Sequence, residues 1–119
     1  MKLTMPGFLL RVEGAVIATA AVFLYSRSGG NWLLFALLIL APDLAALGYL
    51  TGVRVGSVTY NIVHTYALPA VLLLAAWLSQ SPLGLSLALI WFAHIGADRL
   101  LGFGLKYPTA FKDTHLNRV

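Results

Sequence analysis

The sequence predicts an all-α polytopic membrane protein, an antiparallel bundle of four transmembrane helices. Of its 119 residues, 60% are hydrophobic and only 10% are charged, with a mean hydropathy of +0.85. A single soluble domain of this length cannot hide so much apolar surface from water. The apolar residues also form four runs, each close to the roughly 20 residues that cross the hydrocarbon core of a bilayer.

The four helices are predicted over residues 7–25, 32–50, 57–78 and 82–103 of one membrane domain. Arg11 and Glu13 inside the first run argue against a cleaved signal peptide. Asn31 is a good N-cap for the second helix, and Ser81 followed by Pro82 is a helix-start signal for the fourth. The loops are short, so neighbouring helices should run antiparallel. A polar tail follows over residues 105–119 and should lie on the membrane surface.

The distribution of basic residues predicts the orientation. Arg27 alone flanks one side of the bundle, and the other side carries Lys2, Arg11, Arg54, Arg99, Lys106, Lys112 and Arg118. Basic residues favour the cytoplasmic side, so both termini should be cytoplasmic in a bacterial cytoplasmic (inner) membrane. The expected partners are the lipid bilayer and a second copy or a larger membrane complex. The basic residues form no stripe, so nucleic acid is not an expected partner.

Three acidic residues and two histidines interrupt the apolar runs: Glu13, Asp43, Asp98, His64 and His94. An ionised side chain near the middle of a membrane helix costs roughly 2.5 to 3.5 kcal/mol, so these groups must be protonated, paired, metal-bound or in contact with water. Counting 1.5 Å per residue from the cytoplasmic helix ends places them about 9 to 15 Å deep. We therefore predict one polar layer in the cytoplasmic half of the membrane.

Helical spacing places several polar residues on shared faces. His94 and Asp98 are four residues apart, as are Tyr60 and His64, while Asn61 precedes His64 by three. Residues three or four apart lie on one side of a helix. The candidate catalytic carboxylates are Glu13, Asp43 and Asp98. The candidate binding residues are Tyr60, Asn61, His64, Arg54 and Arg99.

Two prolines lie near this layer. Pro42 leaves the carbonyl of Leu38 without its helical partner, and Pro69 does the same to the carbonyl of Thr65. Freed carbonyls of this kind are tolerated in a membrane only where they face protein or water. They are expected to add polar lining.

A metal site is one interpretation of the layer. His64, His94 and Asp98, completed by Asp43 or Glu13, offer nitrogen and oxygen ligands for a divalent ion such as zinc. The chain has no cysteine, so thiolate ligands are excluded. A spare carboxylate acting as general base would make the protein an intramembrane hydrolase of a lipid-like ester or amide. A bis-histidine haem between His64 and His94 is a further cofactor hypothesis.

Two other classes of function fit the same residues. Protonatable groups in a half-membrane cavity are typical of proton or cation transport, for which four helices would need an oligomer. Alternatively, the bundle is a structural or accessory subunit of a larger complex, and the layer only fixes its fold. Ion pairs between helices, of Glu13 or Asp43 with Arg54 or Arg99, would then satisfy the charges.

Several motifs are spread along the chain. They are Gly48-Tyr49, Gly52-x-Arg54-x-Gly56, Tyr60-Asn61-x-x-His64-Thr65-Tyr66, Trp91-x-Ala93-His94-x-Gly96-x-Asp98-Arg99, and Gly102-x-Gly104-Leu105-Lys106-Tyr107-Pro108-x-x-Phe111-Lys112-Asp113-Thr114-His115. With these motifs the chain resembles a family of small bacterial integral membrane proteins, catalogued as domain of unknown function 4260. The resemblance covers nearly the whole chain and implies a four-pass membrane protein without an assigned activity. Its pattern includes residues 106–115, so Lys112, Asp113 and His115 are not to be dismissed as mere tail.

Overall fold

The computed structural model describes residues 3–118, and this part of the chain is largely helical. Its elements are helix α1 (Met5–Arg27), helix α2 (Trp32–Leu38), a 3₁₀ helix (Ala41–Thr51), helix α3 (Val53–Val63), helix α4 (Ala67–Leu78), helix α5 (Pro82–Leu101) and the short helix α6 (His115–Arg118). Four stretches are long and apolar enough to cross a membrane: Met5–Arg27, Trp32–Thr51, Val53–Leu78 and Pro82–Leu101. The predicted all-α fold with four spans is confirmed.

Local capping explains where the spans begin. The Asn31 side chain accepts hydrogen bonds from the amides of Leu33 and Leu34 at 2.8 and 3.4 Å, and the Ser81 hydroxyl accepts from that of Gly84 at 3.1 Å. The third span begins at Val53 rather than near residue 57. The chain turns at Gly52, whose φ of 133° suits glycine, and α3 then runs without interruption from Val53 to Val63.

The second span is broken next to Pro42. Helix α2 ends at Leu38, and the amide of Asp43 bonds the carbonyl of Leu40, three residues back, at 3.0 Å. Proline has no N–H to continue the α-helical pattern, so the chain goes on as a 3₁₀ helix. The carbonyl of Ile39 is thereby released from helical bonding to the Asp43 amide.

The third span is broken at residues 64–66, between α3 and α4. The amide of His64 bonds the carbonyl of Asn61, three residues back, at 3.2 Å. The carbonyl of Tyr60 is therefore released from its usual partner. Pro69 in the first turn of α4 offers no N–H to Thr65, which helps to keep the two helices separate.

Helix α5 lies at the centre of the fold and packs against α1 and α4. It approaches α1 closely at Gly14 and Gly96: a Cβ added to either glycine would lie within 2.7 Å of the other residue's carbonyl oxygen. The 3₁₀ helix packs against α3, where the Thr59 hydroxyl donates to the carbonyl of Ala45 at 2.9 Å. The side chains of α5 can therefore meet those of the two broken spans.

The tail over residues 105–118 forms a compact turn. Lys106 and Thr114 form an antiparallel bridge, and both are buried together with Leu116. The amide of His115 donates to the carbonyl of Leu105 at 2.8 Å, and the His115 Nδ1 accepts from the Leu105 amide at the same distance. These bonds close a compact turn over residues 105–115.

Candidate metal centre

Four side chains from three spans converge where the two broken helices face α5. They are Asp43 of the 3₁₀ helix, His64 at the end of α3, and His94 and Asp98 of α5, and we call them the His/Asp group. One ligand atom from each lies within 4.8 Å of those of the others. The polar layer predicted from the sequence thus contains a tight cluster.

The helix breaks hold the two imidazoles. His64 Nδ1 lies 2.8 Å from the carbonyl of Tyr60, and His94 Nδ1 lies 2.6 Å from the carbonyl of Ile39. A carbonyl can only accept a hydrogen bond, so each Nδ1 must carry the proton and donate it. In a neutral imidazole the Nε2 atom then keeps its lone pair.

The two Nε2 atoms point at each other and at the carboxylates. They lie 3.1 Å apart. Asp43 Oδ1 lies 3.2 Å from His64 Nε2 and 3.0 Å from His94 Nε2. Asp98 Oδ2 lies 3.5 Å from His64 Nε2 and 3.2 Å from His94 Nε2, and has no hydrogen-bond partner. Four acceptors that converge without a donor repel one another, so a proton or a metal ion must lie among them.

The geometry fits a small metal ion. Ligand atoms arranged as a tetrahedron about 2.0 to 2.2 Å from a zinc ion lie roughly 3.3 to 3.6 Å apart. The separations within the group that are given above run from 3.0 to 3.5 Å. Carbonyls that accept the second imidazole N–H are also the usual outer support of histidine ligands. A haem fits poorly, because the carboxylates approach both Nε2 atoms from the side and fill the space of a porphyrin plane.

Tyr60 and Asn61 support the group without joining it. The Tyr60 ring stacks on the His64 imidazole, with centroids 3.7 Å apart and planes 6° from parallel. Asn61 is a clamp for the tail: its Nδ2 donates to the carbonyl of Lys106 at 2.7 Å, and its Oδ1 accepts from the Lys106 amide at 2.6 Å.

The remaining predicted site residues lie outside the group. Glu13 and Arg54 have exposed side chains. The Arg99 guanidinium donates to the carbonyl of His64 at 3.0 Å. Within residues 3–118, the carboxylates of Asp43 and Asp98 lie close to imidazoles and form no ion pair with an arginine, so the bridges to Arg54 or Arg99 that the sequence allowed are not formed.

Two supporting residues were not singled out from the sequence as parts of the site. Trp91 Nε1 donates to the carbonyl of Val63 at 2.6 Å, next to the break in the third span. The Lys106 ammonium lies 4.4 Å from the centre of the Tyr60 ring and 3.7 Å from that of Phe111, and burial lowers its pKa. The only signal for either residue was its place in the motifs of the family resemblance.

Fold and site together define the class: an α-helical membrane protein with four spans and a cluster of two histidines and two aspartates inside them. The model of the family described as "Domain of unknown function (DUF4260)" matches residues 8–119, and the chain belongs to that family. No curated protein and no solved structure matches the chain.

Proposed function

We propose that the protein binds one divalent transition metal ion, with zinc as the best fit, through Asp43, His64, His94 and Asp98. The observation that carries the proposal is the convergence of four acceptor atoms, two from imidazoles and two from carboxylates. The N–H group of each imidazole is already bonded to a carbonyl, so neither can donate to the others. A cation satisfies all four at once.

Charge supports the same conclusion. Two carboxylates and two neutral imidazoles carry a charge of −2, which a divalent ion cancels. A neutral cluster is far less costly inside a membrane than unpaired carboxylates. Two nitrogen and two oxygen ligands in tetrahedral arrangement suit zinc better than magnesium or calcium, which prefer six or more oxygens.

Elemental analysis of protein purified in detergent with added zinc tests the proposal. We expect about one zinc per chain in the wild type, and at least a roughly 100-fold loss of affinity in His94→Ala and His64→Ala, because a direct ligand should matter more than an outer-shell group. His115→Gln and Glu13→Gln are the matched controls, since they change a histidine and a carboxylate outside the group. Wild-type protein without metal would favour a proton-holding or purely structural cluster.

We further propose that the protein lies in the bacterial cytoplasmic membrane with both termini in the cytoplasm. The excess of basic residues at one end of the spans supports this orientation. The chain has no cysteine, so single cysteines can report on it. A membrane-impermeant maleimide added to whole cells should label Ser79→Cys but not Lys112→Cys, and the reverse pattern would invert the orientation.

A further inference from the structure

The four members of the His/Asp group are not equally enclosed. The side chains of His64 and His94 are each 3% exposed and that of Asp98 is 17% exposed, whereas that of Asp43 is 48% exposed. The group is therefore open on the side of Asp43. A small molecule can reach it there without unfolding a helix.

The four side chains also differ in how firmly the surrounding chain holds them. Each imidazole is held from behind by a carbonyl, and Asp98 shares one face of α5 with His94. Within the described chain, the polar atoms within hydrogen-bond distance of the Asp43 carboxylate are only the two Nε2 atoms, which carry no proton in this arrangement. Asp43 is also the most exposed of the four side chains, so it is the member that can leave most easily. The other three match the three protein ligands that a catalytic zinc site uses.

An apolar groove of about 350 Å³ lies beside the two broken spans. Pro42 and Val63, which precede Asp43 and His64 in the chain, line it together with Leu38, Leu72, Leu87 and Trp91. Its volume lies in the range of small-molecule sites, about 300 to 1,000 Å³. Because the groove is formed by membrane-spanning segments next to the group, the occupant that suits it is an acyl chain.

We propose that the site hydrolyses the ester of an acyl chain, with Asp43 as an exchangeable ligand and general base; this rests on the proposed metal binding. A divalent ion held by His64, His94 and Asp98 would bind a water molecule in the position that Asp43 vacates, and would make that water a stronger nucleophile. The water oxygen forms a bond to the ester carbonyl carbon while Asp43 accepts the water proton. The bond from that carbon to the alcohol oxygen then breaks, and Asp43 returns the proton to the alcohol. One water is consumed, and a fatty acid and an alcohol are released.

The test measures zinc content and hydrolysis separately on zinc-loaded protein in detergent, with p-nitrophenyl decanoate and p-nitrophenyl acetate as probes. We expect Asp43→Asn to keep one zinc per chain at saturating zinc and to lose at least about 100-fold in rate, since a positioned general base contributes roughly 10² to 10⁴. Asp98→Asn should lose both zinc and activity. Glu13→Gln should behave as wild type.

A separate variant tests whether the groove binds the acyl chain. Leu72→Trp fills the groove at a residue that is not a member of the His/Asp group, so it should lower kcat/KM for the decanoate and leave the acetate rate and the zinc content unchanged. An equal effect on both esters would overturn the assignment of the groove to the acyl chain.

Three results would overturn the catalytic proposal. They are loss of zinc from Asp43→Asn, an unchanged rate in that variant, and a zinc-loaded wild type that hydrolyses neither ester. Wild-type protein that binds no zinc would instead refute the proposed function itself, and this inference with it.

Discussion

The chain's three histidines show how one hydrogen bond decides the role of an imidazole. His64 and His94 donate from Nδ1 to carbonyls, which leaves Nε2 free to bind a cation. His115 is arranged in the opposite way, because its Nδ1 accepts from the amide of Leu105 and the proton must lie on Nε2. Burial lowers the pKa of His115, which keeps it neutral. It holds the tail closed and is not placed to bind a metal with the others.

The exposed pair of Asp113 and Arg118, which is also a contact between single residues, gives a prediction about pH. Hydrogen bonds from Arg118 and Thr109 lower the pKa of Asp113 from 3.8 to about 2. A lowered carboxyl pKa means that the pair adds stability above about pH 3.8 and loses it as the pH falls through about 2. NMR titration of the Asp113 side-chain carbon should show the low value, and Arg118→Gln should return it toward 3.8.

Lys112→Gln is the control for this titration, since it removes a neighbouring positive charge without removing the hydrogen bonds. If the titration gave an ordinary pKa in the wild type, or an equal rise in both variants, the specific pairing of Asp113 with Arg118 would be wrong.

Among the elements, the two broken spans build the site. An unbroken helix bonds each carbonyl to the amide four residues on, so the carbonyls of Ile39 and Tyr60 would then have to be shared between that amide and an imidazole N–H. The switch to i−3 bonding after each of them releases the carbonyl that each histidine needs. A span that looks uniform in its hydropathy therefore holds its part of the candidate metal centre at its break.

Pro42→Ala tests this dependence. It restores the N–H that an α-helix requires, so the second span should become more regular and the Asp43 amide should compete with His94 for the carbonyl of Ile39. We expect zinc affinity to fall by about 10- to 100-fold, the usual effect of losing an outer-shell partner. Isothermal titration with zinc measures it.

Pro82→Ala is the matched control, because Pro82 begins α5 at the end of that helix remote from His94 and Asp98. If both variants lost zinc affinity equally, or if neither lost any, the break at Pro42 would not be what supports zinc binding.

For the whole molecule, the close approach of α1 and α5 fixes the position of the helix that supplies His94 and Asp98. Gly96 lies between these two residues on α5 and contacts the backbone of α1 around Gly14 and Ala18. Small residues permit this approach, which gains packing energy between membrane helices that have no hydrophobic driving force of their own.

Gly96→Ala should therefore destabilise the fold. The added Cβ would meet the carbonyl oxygen of Gly14 at 2.6 Å and the amide nitrogen of Ala18 at 2.7 Å, so the helices must move apart. We expect a loss of about 1 to 3 kcal/mol, the range found for overpacked cores, measured by unfolding in mixed detergent micelles. Leu83→Ala, at an exposed position of the same helix, should cost less, and the opposite order would show that the contact is not tight.

Much of this molecule is determined locally by its sequence. The lengths of the four apolar runs, the caps at Asn31 and Ser81, and the four-residue spacing of His94 and Asp98 depend on nearby residues, so they were predictable. The members of the His/Asp group were also predictable in kind, because an ionisable side chain in a membrane span needs a partner.

Only the tertiary structure decided which polar residues meet. Depth alone placed Glu13 and Asn61 in the same layer as the histidines, yet Glu13 is exposed and Asn61 holds the backbone of Lys106. Depth depends on position along one helix, but meeting depends on how each helix is rotated and where it is broken. The rotation and the break of each helix are set by packing between helices that are distant in the chain, so no local sequence pattern predicts them.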